Sequence, residues 1–445
     1  MRNIVFVKPH SDGGLHPRNR QKIVGLLAIV PALALILAGC ATPSTSADGP
    51  VTVNFLNPHA GKYDAVIELF EEQNPDITIK QQSVPYDELV SQTQARLAQG
   101  DTSVDVLAVD PPRIANMVDQ DFLTDESDSL SMMEDEFSAV GLESTEIDGK
   151  PWAYPMWTSD NFLFYNKAVL AKAGIEAPGG TDADRLTFEE VLADSKQIVD
   201  SGAAQYGFGI EQPDRYYALQ PIAAGMGAGS GLEGDDNLTA AVDTPEWEAF
   251  GKWYAELFSD GLSPQGIDTS GMPDLLMSGQ VGFLLANPVI LNDVKERLGD
   301  DWGIAPHPYF EGEDVVTPTD SWAFGISAFS TQKDASRKFV QFLTMNADGI
   351  ATVTKDLPFP PVATAGVAAY EQYLTDLAPT QTADLPELLQ VDGDENAVHR
   401  PVSKGYVQFE TVMNKAFDDI RNGADVAETL AASQSELERQ LSRLG

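Results

Sequence analysis

Residues 51 to 110 read VTVNFLNPHAGKYDAVIELFEEQNPDITIKQQSVPYDELVSQTQARLAQGDTSVDVLAVD, and the fold follows from how that stretch alternates. Val51 to Phe55 is rich in β-formers and predicts a strand. Asp64 to Gln73 places Val66, Leu69 and Phe70 at three- and four-residue spacing and stops at Asn74-Pro75, which predicts a helix. Ile77 to Lys80 predicts a second strand. Asp87 is placed to cap a helix through Leu89, Val90, Leu97 and Ala98, closed by Gly100, and Val104 to Val109 predicts a third strand. Strand, helix, strand, helix, strand is the pattern of an α/β fold with a parallel sheet under covering helices. Ligands of such sheets sit beyond the carboxyl ends of the strands, and those positions hold Asn57, His59 and Asp110.

Upstream, Arg18, Arg20 and Lys22 precede an apolar run from Ile23 to Ala38 that ends in Leu37-Ala38-Gly39-Cys40. The run is short for a membrane-spanning helix, which needs roughly 20 apolar residues. Small residues followed by the chain's lone cysteine resemble the bacterial lipobox. Residues 1–39 are therefore expected to be a lipoprotein signal peptide, with a lipid on the Cys40 sulfur. Residues 40–50, small and polar with turn formers, have nothing to bury and read as a tether.

The formal net charge is −40, and a surface so acidic repels phosphate backbones and anionic headgroups. Nucleic acid is thereby excluded as a partner. A single cysteine allows no internal disulfide, so stability rests on apolar cores, for which the 406 residues after residue 39 supply ample chain in two domains.

A further block carries a family pattern. Gly149-Lys150-Pro151-Trp152-Ala153-Tyr154-Pro155-Met156-Trp157 runs into Phe162-Leu163-Phe164-Tyr165-Asn166-Lys167, then Ala173-Gly174-Ile175 and Thr187-Phe188-Glu189-Glu190-Val191-Leu192. Thr187 with Glu190 is a capping box opening a helix to about Val199. These segments resemble the extracellular solute-binding proteins of ABC importers, in the group of sugar binders typified by maltose-binding protein. Leu275 to Phe283, Trp302-Gly303-Ile304-Ala305-Pro306-His307-Pro308, Ser321 to Ile326 and Arg400-Pro401 through Tyr406 continue the resemblance. Asn287-Pro288 departs from it, standing where many sugar binders carry a glycine and a ligand-stacking tryptophan.

The resemblance implies a two-lobed periplasmic-binding-protein-like α/β fold, with hinge-joined lobes and a ligand cleft between them. Lobe 1 would comprise 51–157 and 304–360, and lobe 2 would comprise 158–303 and 361–445. It further implies a monomer on the outer face of the cytoplasmic membrane. There it would hand a carbohydrate, foremost an oligosaccharide, to an ABC permease, with neither cofactor nor catalysis. Ligand would drive closure by contacting the closed state better than the open one.

The residues point to a sugar as well, because such a pocket needs carboxylates, amides and aromatic plates together. The candidates are Asn57, His59, Tyr86, Asp110, Trp157, Tyr216, Tyr217, Asn287, Asp320, Trp322 and Arg400. Trp247, in a helix opened by Thr244-Pro245, reads as core. Gly225 to Gly231 has neither dinucleotide nor P-loop spacing, and the scattered histidines form no zinc motif. Asp392 to Asn396 lacks the glycine and glutamate of a calcium loop. Two alternatives stay open: a ferric-iron binder using Tyr216-Tyr217, and a secreted glycoside hydrolase using Asp110 and Asp320.

Overall fold

The computed structural model describes residues 50–210, 213–267, 271–319 and 321–444. The expected signal peptide, Cys40 and the tether up to residue 49 lie outside the described residues, as does Asp320. Chain order gives β1 (Val51–Asn57), α1 (Asp64–Gln73), β2 (Ile77–Ser83), α2 (Tyr86–Leu97), β3 (Val106–Val109), β4 (Tyr154–Thr158) and β5 (Phe162–Asn166). Then follow α3 (Phe188–Asp200), β6 (Tyr206–Gly209), α4 (Pro245–Ser259), β7 (Val281–Ala286), β8 (Trp302–Ala305), β9 (Thr317–Pro318) and β10 (Ser321–Ile326). The chain ends through α5 (Lys333–Met345), α6 (Thr364–Leu377), β11 (Ala397–Val398) and α7 (Tyr406–Arg421), with one further helix behind them.

In the first lobe the strand order is β2-β1-β3-β10-β4. β1 runs parallel to β2 and β3, as the alternation predicts, whereas β10 is antiparallel to both β3 and β4. The sheet is therefore mixed, because β10 arrives from the other lobe and not over a covering helix. α1 buries Val66 and Phe70, and Phe55 meets Phe324 and Phe339 edge-on at 5.3 Å each. α2 begins directly after Pro85, which takes the cap position two residues ahead of the expected Asp87, with the proline held at φ −53°.

The second lobe is built on the order β8-β5-β7-β6. Alternate residues of the central strands feed separate cores on the two faces. Leu163, Tyr165, Phe283 and Leu285 join Trp247, Phe250 and Phe417, while Phe162, Phe164 and Leu284 join Trp302 and Leu374. α3 opens with the expected capping box: Thr187 Oγ1 accepts from Glu190 N at 3.1 Å and Glu190 Oε2 accepts from Thr187 N at 2.8 Å. Gly207 of β6 lies so near α3 that an added Cβ would come within 2.3 Å of Ser195 Cα. Only glycine permits that approach.

Three crossings connect the lobes. The first follows β4, through residues 159–161. The second was expected at residue 304, and here the structure corrects the reading: β8 pairs antiparallel with β5, Ala305 and Phe310 pack into the second-lobe core, and the chain returns only between β9 and β10. A strand's sequence does not say which sheet it joins. At the third, Val362 and Ala363 belong to the first core, and Tyr370 and Leu374 of α6 to the second.

Candidate functional site

A cleft of about 460 Å³ opens between the lobes at the carboxyl ends of β1, β3 and β7. Of the residues proposed from sequence, it brings together His59, Tyr86, Asp110, Tyr217, Asn287, Trp322 and Arg400. His59, Tyr86, Asp110, Asn287 and Trp322 enter from strand ends or a helix start, and Tyr217 and Arg400 enter from a 3₁₀ turn and a loop of the second lobe.

His59 is set by Asn57. The buried Asn57 Oδ1 accepts from His59 N at 3.0 Å, which tightens the turn after β1 and leaves Asn57 behind the cleft, not in its lining. Asn57 Nδ2 has no hydrogen-bond partner among the described residues. Trp322 on β10 and Tyr86 at the start of α2 meet edge-on at 5.6 Å, and together they form an aromatic wall in the first lobe. Trp157 does not reach the cleft. It is buried and stacked flat on Phe359, 4.8 Å away at 9°, so Phe359 presents the ring face and Trp157 stiffens it from behind.

Asp110 and Arg400 are the strongest polar contact of the site, and they bind each other. The guanidinium donates to both carboxylate oxygens, at 3.2 and 2.5 Å, with the residues 6 % (Arg400) and 7 % (Asp110) exposed. Asp110 extends from the first-lobe sheet, and Arg400 precedes α7 in the second. Arg113, which also lies 3.3 Å from Asp110, pairs with Glu410 of α7. The result is a four-charge cluster of balanced sign across the lobe junction. Arg400 also lies 5.4 Å from the ring centre of Tyr217 and 5.5 Å from that of Tyr406.

The adjacent tyrosines part company. Tyr217 lines the cleft, but Tyr216 is 0 % exposed in the second-lobe core against Phe409 and Phe417, where burial drives its phenol pKa well above the ordinary value. The placement of Tyr216 in the ligand site is corrected accordingly. The short 3₁₀ turn from Pro213 to Ala218 carries the pair, and successive residues on such a turn point about 120° apart. Asn287 Oδ1 is occupied in accepting from Val289 N at 3.1 Å, capping the turn beyond β7.

Sequence reasoning missed Lys62, Ser159, Asp293, Asp356 and Phe359, all in the lining. Asp293 lies in the first turn of the helix Leu291–Leu298, seven residues past the end of β7, so the strand-end rule reaches Asn287 and not Asp293. Asp356 and Phe359 lie in the proline-rich approach to the third crossing, Leu357-Pro358-Phe359-Pro360-Pro361, which marks extended chain but names no function. Among the described residues the charged lining is thus Lys62 and Arg400 against Asp110, Asp293 and Asp356, with Arg400 already committed to Asp110.

A family model for bacterial extracellular solute-binding proteins matches residues 57–349. A binding protein of Brucella abortus (strain 2308) is 28% identical over 353 residues, covering 73% of this chain and 81% of that one. The sn-glycerol-3-phosphate-binding periplasmic protein UgpB of Agrobacterium fabrum is 28% identical over 296 residues, 62% of this chain and 63% of its own. Among solved structures, maltose-bound MalE3 of T. maritima superimposes with a TM-score of 0.76 at 22% identity, covering 89% of this chain and 100% of that chain. The match over these residues, on two α/β lobes about an interlobe cleft, shows that the chain belongs to the bacterial extracellular solute-binding proteins.

Proposed function

We propose that this chain is the capture subunit of an ABC importer and that its cleft takes a neutral carbohydrate, foremost an oligosaccharide, delivered to a membrane permease after lobe closure. The observation that carries the reading is the makeup of the cleft: an aromatic wall of Trp322 and Tyr86 faces hydrogen-bonding groups from both lobes, and carboxylates outnumber cations. Rings cover the C–H faces of a sugar, and Asp293 and Asp356 can hold its hydroxyls. The maltose-bound neighbour supports this ligand class.

The UgpB relatives favour a second reading, a glycerol phosphate. A phosphate dianion entering this cleft would meet Asp293 and Asp356, while Arg400 would have to leave Asp110 to receive it. The charge balance favours the neutral ligand. Ferric iron loses its tyrosine pair once Tyr216 lies in the core, and a glycosidase would have to work with an Asp110 already salt-linked to Arg400.

Anchorage through a lipid on Cys40 and a monomeric state belong to the same proposal. The test is tryptophan fluorescence titration with malto-oligosaccharides and other sugars beside sn-glycerol 3-phosphate. Saturation by a sugar, weakened in Trp322→Ala, upholds the reading; saturation by glycerol phosphate alone replaces it. Cys40→Ala should release the chain from membranes into the soluble fraction.

A further inference from the structure

A second cavity, of about 450 Å³, lies on the other side of the crossing segments and shares no lining residue with the cleft. The extended stretch after β4 divides the two. Ser159 lines the cleft, whereas Thr158 and Asp160 line this cavity, as alternation along an extended chain requires. Val362 contributes a wall from the first lobe, and Tyr370 and Leu389 contribute walls from the second.

Backbone pairing brings three polar side chains to it. Asn161 N donates to Pro318 O at 3.3 Å and Thr319 N donates to Val398 O at 3.5 Å, so Asp160, Thr319 and His399 stand on three neighbouring extended segments. Asp160 is 3 % exposed, and one of its oxygens accepts from the Thr158 hydroxyl at 2.6 Å. Burial, with Asp392 nearby, pushes its pKa up to about 7. Thr319 is 2 % exposed, and its hydroxyl has no hydrogen-bond partner among the described residues; neither has the buried Nε2 of His399. Glu371 and Asp394 also line the cavity, and among the described residues no lysine or arginine does. Val140 and Val367 are exposed hydrophobics at its margin.

A buried carboxyl lacking a cation and two buried polar atoms lacking partners among the described residues each cost free energy that a suitable ligand restores. We propose that this cavity binds a primary aliphatic ammonium, whose three N–H bonds donate to the Asp160 carboxylate, the Thr319 hydroxyl and His399 Nε2, with its alkyl chain against Val140, Val362 and Leu389. An ammonium brings three donors and no acceptor, which suits a lining that offers a carboxylate, a hydroxyl and an imidazole nitrogen. An alcohol lacks the charge, and a quaternary ammonium lacks the donors.

The test is isothermal titration calorimetry of the full-length protein at about pH 8 with n-butylammonium chloride, beside 1-butanol and tetramethylammonium chloride. The expected result is saturable one-to-one binding of butylammonium, tighter than either comparator by about tenfold or more, and weakened by about tenfold or more in Asp160→Asn. Val367→Trp, at the exposed margin, should also weaken it while leaving Tm unchanged, which separates loss of the site from loss of the fold. No saturable heat up to about 10 mM, equal affinity for butanol, or undiminished binding in Asp160→Asn would each overturn the proposal.

Discussion

The lobes meet around a buried aspartate on each side of the crossing segments, and the two aspartates meet opposite fates. On the cleft side Asp110 is held by Arg400, with Arg113 and Glu410 completing a balanced cluster. Behind the crossings Asp160 has the Thr158 hydroxyl and, among the described residues, no cation, while Asp392, already bonded to Arg185, adds repulsion. Burial penalises a lone charge by several kcal/mol, and a close counter-charge with good geometry repays much of that. Asp110 is therefore a fixed charge that ties the lobes, whereas Asp160 is a charge the fold resists and a proton or a cation can relieve.

The largest effect should come from breaking the compensated side. Arg400→Met leaves Asp110 and Glu410 to share Arg113 in a buried setting, and urea denaturation should show a loss of about 3 kcal/mol or more. Adding Asp110→Asn to that variant removes the orphaned charge and should return part of the loss. If the two changes simply add, the pair is not coupled and the contrast with Asp160 fails.

Asp160→Asn should do the reverse and stabilise the protein. The folded pKa, about 7, lies above the unfolded value, so the native state binds more protons between about pH 4 and 7, and stability falls across that window as pH rises. The asparagine variant should thus gain most at about pH 8, by as much as about 4 kcal/mol, and the gain should vanish towards pH 4. The other ionisable groups about this carboxyl are Asp392 with its partner Arg185, together with His399, Glu371, Asp394 and Tyr370. Thermal melts of both proteins across the window would decide it; a constant difference would mean that Asp160 does not titrate there.

These two aspartates also mark how far the sequence could be read. Elements set by neighbours in the chain were legible: the Asp64–Gln73 helix from its apolar spacing, the Thr187–Glu190 capping box, and the burial of Trp247 in the helix capped by Thr244. Asp110 was legible as a strand-end residue, but its partner lies 290 positions away, so its neutralisation was not. The distinction between Tyr216 and Tyr217 depends on the rotation of a single short turn. The rear cavity draws on segments from Ser138 to His399, and no one of them carries a local pattern. Pairing partners fix such features, and composition and periodicity are blind to partners.

On the cleft side, Trp322→Ala removes an aromatic plate that is only half-buried, so ligand affinity should fall by about tenfold with little change in Tm. Trp157→Ala empties a stacked, buried site and should lower Tm instead. If both variants lose affinity alike and keep their stability, the division between cleft wall and backing is wrong.

The smallest effect belongs to a third contact across the same junction. Lys404 of the second lobe pairs with Asp119 of the first, as Arg400 does with Asp110, but both side chains are about half exposed. Water already solvates such charges and mobile ions screen them, and holding a long side chain in place costs rotamer entropy. The Lys404 backbone is fixed independently, since its carbonyl accepts from Asn116 Nδ2 at 3.0 Å. Lys404→Ala should therefore leave Tm unchanged within error at both low and high salt. A loss comparable to that of Arg400→Met, disappearing as salt is raised, would mean that long-range charge attraction between the lobes, and not burial, sets the worth of the Asp110 pair.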